Sequence, residues 1–358
     1  MITYFITILM VFFSCFLAQR FCVKSQSHKG VVSKKTQSTN IALFIALATL
    51  TCVAGLRYWV GGDYSNYYYL YHSYKSIGVV DLSPLNEPML PLIGKLTSYI
   101  FQKPFAMFFV ASVITVGMVL ISIYKETDDF AFVTLLYIFV GCWHSSFNGV
   151  RQCLAVSIVF LGRHYITERR FFKYLLVCFL AFLAHRSALF CVLFYFVYSE
   201  EFSKKRLLII TLITLFLSRS HEAIFSFIGW MNDEEFVLDL YSSTSVNILR
   251  TFVGCCPAIV GVYYAYTRKL DKQQIFYVYM MVINAAIRIA TADSAYLYRL
   301  GMFPAIFVPL GLSFLSKATT PKHQNVFRYL VVIFYFLFWL YEVSKSPFLN
   351  NFRFIFGK

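Results

Sequence analysis

The sequence predicts an all-α polytopic integral membrane protein with about twelve transmembrane helices, and three observations predict it. Of 358 residues, 59% are hydrophobic, 20% aromatic and 14% charged, whereas a water-soluble domain is about a quarter charged. The apolar residues fall in blocks of roughly 17–22, the length that crosses a hydrocarbon core of about 30 Å. Lysines cluster at every second connection, which is how short loops orient membrane helices.

The first apolar block, residues 2–18, has no Lys or Arg before it, unlike a cleavable signal peptide. A basic cluster follows instead: Arg20, Lys24, Lys29, Lys34 and Lys35. That cluster belongs in the cytoplasm. The first helix therefore enters and the second, about 41–58, leaves. Residues 59–104 form a first periplasmic segment. Within it, 85–101 is apolar enough for a helix, yet a crossing there would invert every later loop. Pro84, Pro88 and Pro91 fit a re-entrant or interfacial segment on the outer side. Further spans are expected at about 105–124, 130–147, 150–166, 170–184, 187–200, 206–218, 249–267, 274–290, 296–315 and 327–344. Lys173, Lys204, Lys205, Lys269, Lys272, Lys317 and Lys322 mark inner loops. The larger polar loop, 218–247, falls on the periplasmic side. Residues 1–358 read as one membrane domain.

The stretch CFLAFLAHRSALFCVLFYFVY, 178–198, carries His185 and Arg186 at its centre. Both flanks are basic, so the chain must enter, turn near His185–Ser187 and return. A buried turn is tolerated only where it lines a wet, protein-walled cavity.

The formal charge of +15 does not imply nucleic acid, because no basic run has the needed density. The nine cysteines show no metal-ligand spacing and read as small apolar packing residues. No metal or cofactor is expected.

Arg57, Arg151, Arg186, Arg219, Arg250, Arg288 and Arg299 map to the outer side, where topology gives arginine no advantage and burial makes it costly. Local ion pairs such as Arg57–Asp63 could account for some. The acids available are Asp63, Asp81, Glu87, Glu222, Asp233, Glu234, Glu235, Asp239 and Asp293. Convergent arginines also bind phosphate bidentately and stay charged when partly desolvated. An outward arginine-lined vestibule therefore suits an anionic lipid head group such as a polyprenyl diphosphate.

Several motifs then resemble a family. GLRYWVGGDYSNY (55–67) is similar to the R-x-x-V-G-x-D-Y-x-x-Y signature of EpsG-like, Wzy-type polysaccharide polymerases, with Gly62 replacing the commoner Thr or small polar residue. NEP (86–88) resembles the glutamate element that follows it. FNGVRQCLAVSIVFLG (147–162) resembles the N-x-x-R-Q helix start, and FLAFLAHRSALF (179–190) the A-x-x-x-H-x-S-A element. YLYRLGMFP (296–304) and SKSPF (344–348) resemble the two C-terminal motifs. The ordered set covers nearly the whole chain. The resemblance implies a polymerase that joins undecaprenyl-diphosphate-linked oligosaccharide units at the outer face of the bacterial inner membrane. It implies O-antigen or capsule-type polysaccharide, no nucleotide sugar, no obligatory metal, and a chain-length regulator as partner.

Such a reaction needs a hold on the leaving diphosphate, a base and sugar placement. Binding that tightens as the leaving oxygen gains charge accelerates the step. Arg57, Arg151, Arg186, Arg250, Arg288 and Arg299 suit the first task. Asn148, Arg151 and Gln152 are spaced i, i+3, i+4, so one helix face should carry them, at a helix start that favours anions. A head-group contact is the plainer reading. For the base, His185, Asp63 and Glu87 compete. His185 has the natural pKa, but a packed histidine is an equal alternative. Asp63 could orient Arg57, and Glu87 could bind sugar hydroxyls. Tyr64, Tyr67, Tyr68 and Tyr71 fall on one helical face, expected to lie on the membrane as an interfacial anchor or against sugar. The rival classes are a lipid-linked oligosaccharide flippase, a polyprenyl-phosphate-dependent glycosyltransferase and an O-antigen ligase. A flippase needs polar residues through its full depth, whereas here they gather outside.

Overall fold

The computed structural model describes residues 1–27, 30–76, 83–220 and 245–356, with backbone alone at 23–27 and 30–34. Lys29, Asp81, Glu222, Asp233, Glu234, Glu235, Asp239 and most of the expected 218–247 loop lie outside the described residues. The described chain is helical apart from one hairpin. It divides into two compact units, Met1–Tyr165 with Phe171–Cys191 and Asn325–Lys358, and Ile166–Arg170 with Val192–Gln324.

In the first unit, α1 (Ile2–Arg20) leads into an antiparallel hairpin, β1 (Val23–Ser27) and β2 (Gly30–Lys34), with Ser27 opposite Gly30. Helix α2 (Gln37–Gly55) starts where Thr36 and Thr39 cap each other reciprocally, which satisfies two backbone donors at the helix start. Next come α3 (Tyr64–Ser76), α4 (Met89–Ile100) and α5 (Phe105–Glu126). α4 has 12 residues, too few to span a bilayer. It buries Leu90, Ile93, Gly94 and Thr97 and exposes Leu92, Leu96 and Tyr99. α6 (Phe130–Phe139) bends by 43° into α7 (Cys142–Asn148). The break falls at Gly141, whose φ of 90° is readily reached only without a Cβ. α8 (Val150–Leu161), the short α9 (His164–Thr167) at the unit boundary, and α10 (Phe171–Phe182) follow. A 3-10 turn, Arg186–Cys191, then reverses the chain.

The core of this unit packs α1 on α2 and α6, α2 on α5, α5 on α8, and α8 on α10. Small buried residues on α5, among them Ala106, Ala111 and Ser112, allow the close approach that membrane helices need where apolar burial alone gives no drive.

The second unit comprises α11 (Val192–Val197), α12 (Lys204–Arg219), α13 (Ile248–Thr267), α14 (Lys272–Ala290), α15 (Ala295–Tyr298), α16 (Met302–Ala305) and α17 (Val308–Lys317). α14 is its central helix, buried almost continuously from Gln274 to Ala285 and flanked by α12, α13 and α17. α18 (Pro321–Lys345) leads back into the first unit.

Among the described residues, α1, α2, α5, α13 and α18 are long and apolar enough to cross a membrane. The bent pairs α6–α7 and α15/α16–α17, the latter bent by 44°, raise the number to seven. The remaining segments of the expected twelve are shorter or less apolar. α8, α10 and the Arg186–Val197 stretch are apolar helices below spanning length. The glycine breaks and the turn after α10 cut these stretches, which an unbroken reading of hydropathy joins.

Candidate functional site

Charged side chains of the first unit converge at one turn. Pro84 opens a 3-10 turn over Pro84–Asn86, and Glu87 follows with φ 52° and ψ 59°. Pro88 next to it disfavours right-handed helix at Glu87, and the left-handed conformation costs a non-glycine residue roughly 1 kcal/mol. The turn is held from outside: Met89 N–H donates to the Leu183 carbonyl at 3.1 Å, at the end of α10.

That placement brings the Glu87 carboxylate onto the turn after α10. Oε1 lies 2.6 Å from His185 Nδ1 and accepts from the Arg186 N–H at 2.8 Å. Oε2 lies 2.7 Å from Arg151 Nη1. The Glu87 side chain is 7% exposed, while those of Arg151 and His185 are 32% and 27% exposed. The acid is enclosed and its partners are open on their other sides. Burial opposes ionisation of Glu87. The His185 hydrogen bond, the Arg186 N–H and the His185 and Arg151 charges outweigh it, so the carboxyl lies below its ordinary range. An ionised carboxylate only accepts. His185 Nδ1 therefore carries the proton in this contact, and a neutral ring presents Nε2 as a lone pair.

Arg151 sits in the first turn of α8. Tyr67 flanks it, with the ring centroid 5.9 Å from Cζ and the hydroxyl in hydrogen-bonding reach. Arg186 is exposed, and among the described residues its guanidinium makes no ion pair. Buried Ser187 Oγ has no hydrogen-bond partner among the described residues.

Other expected site residues take different places. Arg57 is not open to a diphosphate. It is 1% exposed, and its guanidinium donates to the carbonyls of Val60 (3.0 Å), Phe147 (3.2 Å) and Ala54. All three nitrogens face protein carbonyls, so no edge remains for a ligand. A guanidinium stays charged even when enclosed in this way. Asp63 is half-buried at the head of α3, its carbonyl accepting from Tyr67 N–H.

Asn148, Arg151 and Gln152 do not share a helix face, because α7 ends at Asn148 and α8 begins at Val150. Asn148 Oδ1 accepts from Gly62 N–H at 2.6 Å, and Gln152 is buried. The tyrosine face does not lie on a surface. Tyr64, Tyr67 and Tyr71 are buried, with Tyr64 stacked 4.7 Å from Phe108 and Tyr71 Oη donating to the Phe101 carbonyl. Two short helices, α3 and α4, pack on each other, and burying the aromatic face gains more apolar contact than leaving it at an interface.

In the second unit, Arg250 and Arg299 are exposed. Arg288, in the last turn of α14, donates from Nε to Asn284 Oδ1 at 3.1 Å. No group of three potential metal ligands occurs among the described residues.

A family model for the EpsG family matches residues 40–355. The chain belongs to the EpsG family. The match covers most of both units and every residue of the Glu87 cluster. No curated protein and no solved structure matches the chain. EpsG membership supports a membrane protein of polysaccharide-polymerase type. Reading the sequence of this EpsG protein singled out Glu87, Arg151 and His185 without showing that they meet. It missed Asn284, although a polar residue four before an arginine on an apolar helix is a signal for such a pair.

Proposed function

We propose that this EpsG-family protein polymerises undecaprenyl-diphosphate-linked oligosaccharide units at the periplasmic face of the inner membrane. The observation that carries the reading is the enclosed Glu87 carboxylate, held by His185, Arg151 and the Arg186 N–H. An acid that fixes a histidine tautomer and an arginine together places two of the things the reaction needs, a base and a hold on the leaving diphosphate.

In the proposed step, an acceptor sugar hydroxyl attacks the anomeric carbon of the lipid-linked chain. His185 Nε2 takes the hydroxyl proton, a role in which general base catalysis contributes about 10²–10⁴-fold. The bond from the anomeric carbon to the diphosphate oxygen breaks, and its electron pair leaves with the diphosphate. Arg151 and Arg186 stabilise the charge that develops there. Glu87 stays ionised and orients both. Undecaprenyl diphosphate departs, and no metal or cofactor takes part. A chain-length regulator is the proposed partner, and the bilayer the surrounding.

The test is complementation of a deletion strain, read as the surface-polysaccharide ladder. His185→Ala and Arg151→Ala are expected to accumulate normally in the membrane and leave core carrying a single unit. Chains of normal length in both variants would remove the assignment. Core with no unit attached would indicate a ligase, and unit trapped inside the cell a flippase. Arg151→Lys is expected to rescue poorly, because lysine cannot reproduce bidentate binding.

A further inference from the structure

We propose that the second unit carries an oxyanion site of its own, built on Arg288 and completed by the hydroxyls of Thr251 and Tyr298, and that it takes a phosphate group. The assignment starts from space. A Cβ on Gly254 of α13 would collide with the Arg288 side chain at Cδ and Nε, and one on Gly301 would come within 3.5–3.8 Å of Cγ, Cζ and Nε. Gly254 therefore clears a slot that the arginine fills, and Gly301 lines it at ordinary contact distance.

The slot is also oriented. Asn284, 2% exposed, donates from Nδ2 to the Gly254 carbonyl at 2.8 Å and accepts from Arg288 Nε at 3.1 Å. The Tyr298 ring centroid lies 4.8 Å from Cζ. Nε is thus engaged, while among the described residues Nη1 and Nη2 make no hydrogen bond or ion pair. Those two nitrogens are the edge that grips a phosphate or carboxylate bidentately.

Two further donors lack partners. Thr251 Oγ1 and Tyr298 Oη are buried with no hydrogen-bond partner among the described residues. A buried hydroxyl without a partner costs about 1–3 kcal/mol, so such groups call for a ligand or water. Thr251 lies three residues before Gly254, on the same face of α13. A cation at the C-terminal end of α14 is favoured by the helix dipole alone, but that does not explain the clearance at Gly254, an aligned asparagine and two orphan hydroxyls. A guanidinium edge with two neutral hydroxyl donors fits a tetrahedral oxyanion.

The phosphate could belong to a polyprenyl diphosphate or to a soluble anion. Only the first source rests on the polymerase reading. The test uses the full chain in nanodiscs and radiolabelled inorganic pyrophosphate, measured in wild type and in Arg151→Ala. Arg151→Ala is expected to retain a pyrophosphate site. In that background Thr251→Val and Tyr298→Phe should each weaken it by about 5–10-fold, and Arg288→Lys by about 10-fold or more. Competition by polyprenyl diphosphate assigns the lipid source; competition by soluble phosphates alone assigns the other. No binding by wild type, or wild-type affinity in both hydroxyl variants, overturns the site. Normal ladders in both His185→Ala and Arg151→Ala, with pyrophosphate binding intact, would remove the polymerase reading and leave the site standing.

Discussion

The Arg57 turn and the Glu87 turn lie in the same unit and are built alike, yet they do opposite things. Each follows a helix or short 3-10 segment, and each carries a positive-φ residue, Gly61 at 108° and Glu87 at 52°. Each holds a charge in a largely protein-enclosed place. At the Arg57 turn every guanidinium nitrogen donates to a main-chain carbonyl. The C-terminal residues close over it, with Tyr58 N–H on the Arg353 carbonyl at 2.8 Å and Gly61 N–H on the Phe348 carbonyl at 3.0 Å. At the Glu87 turn the carboxylate is enclosed, but the groups it holds are about one-third open. A charge saturated by carbonyls fastens the fold. A charge that orients half-open partners leaves them donors and lone pairs for a substrate.

That contrast can be broken by mutation. The largest effect is expected for His185→Ala, which should lower polymer formation by about 10²–10⁴-fold while the melting temperature in detergent stays near wild type. A comparable loss of melting temperature would make His185 an anchor like Arg57. Arg57→Ala should do the reverse. Removing a buried charge that makes three hydrogen bonds is expected to cost about 3–5 kcal/mol, read as lost membrane yield or a lower melting temperature. If Arg57→Ala folds normally and only loses activity, the anchor assignment fails.

Gly61→Ala is expected to destabilise by about 1–3 kcal/mol, because a Cβ there meets the Phe147 carbonyl at an unfavourable φ. Gly62→Ala, where the nearest atoms lie 3.7 Å away, is the control and should be close to neutral in the same melt.

The smallest effect is a pH dependence. Glu87 in the folded protein titrates below its ordinary value of 4.5. Its contribution to stability is therefore fully present above that value and is lost as pH falls through the lower folded pKa. Melting temperatures of Glu87→Gln should be less sensitive than wild type to acidification below about pH 4.5. Parallel curves would show that Glu87 is not held ionised by its partners.

Much of this was legible in the chain. The apolar blocks and lysine spacing give the membrane class, and the turn at His185–Ser187 follows from its basic flanks. Pro84, Pro88 and Pro91 mark the interrupted segment that becomes Pro84–Asn86 and α4. The i, i+3, i+4 reading of Asn148, Arg151 and Gln152 failed because periodicity assumes one continuous helix, and Gly149 divides two. The tyrosine face failed for a related reason. An amphipathic pattern reports that one face is buried, and not whether lipid or protein buries it.

Sequence by itself determined the membrane class, the family and the residue types available for the chemistry, since composition, hydropathy and ordered motifs are properties of a one-dimensional chain. Only the tertiary structure decided that Arg57 is an anchor, that Glu87 meets Arg151 and His185 across 64 and 98 positions, and that Arg288 lies in a slot cleared by Gly254. The reason is physical. Whether a charge is saturated or available depends on which carbonyls, hydroxyls and empty spaces surround it, and those come from segments far apart in the chain.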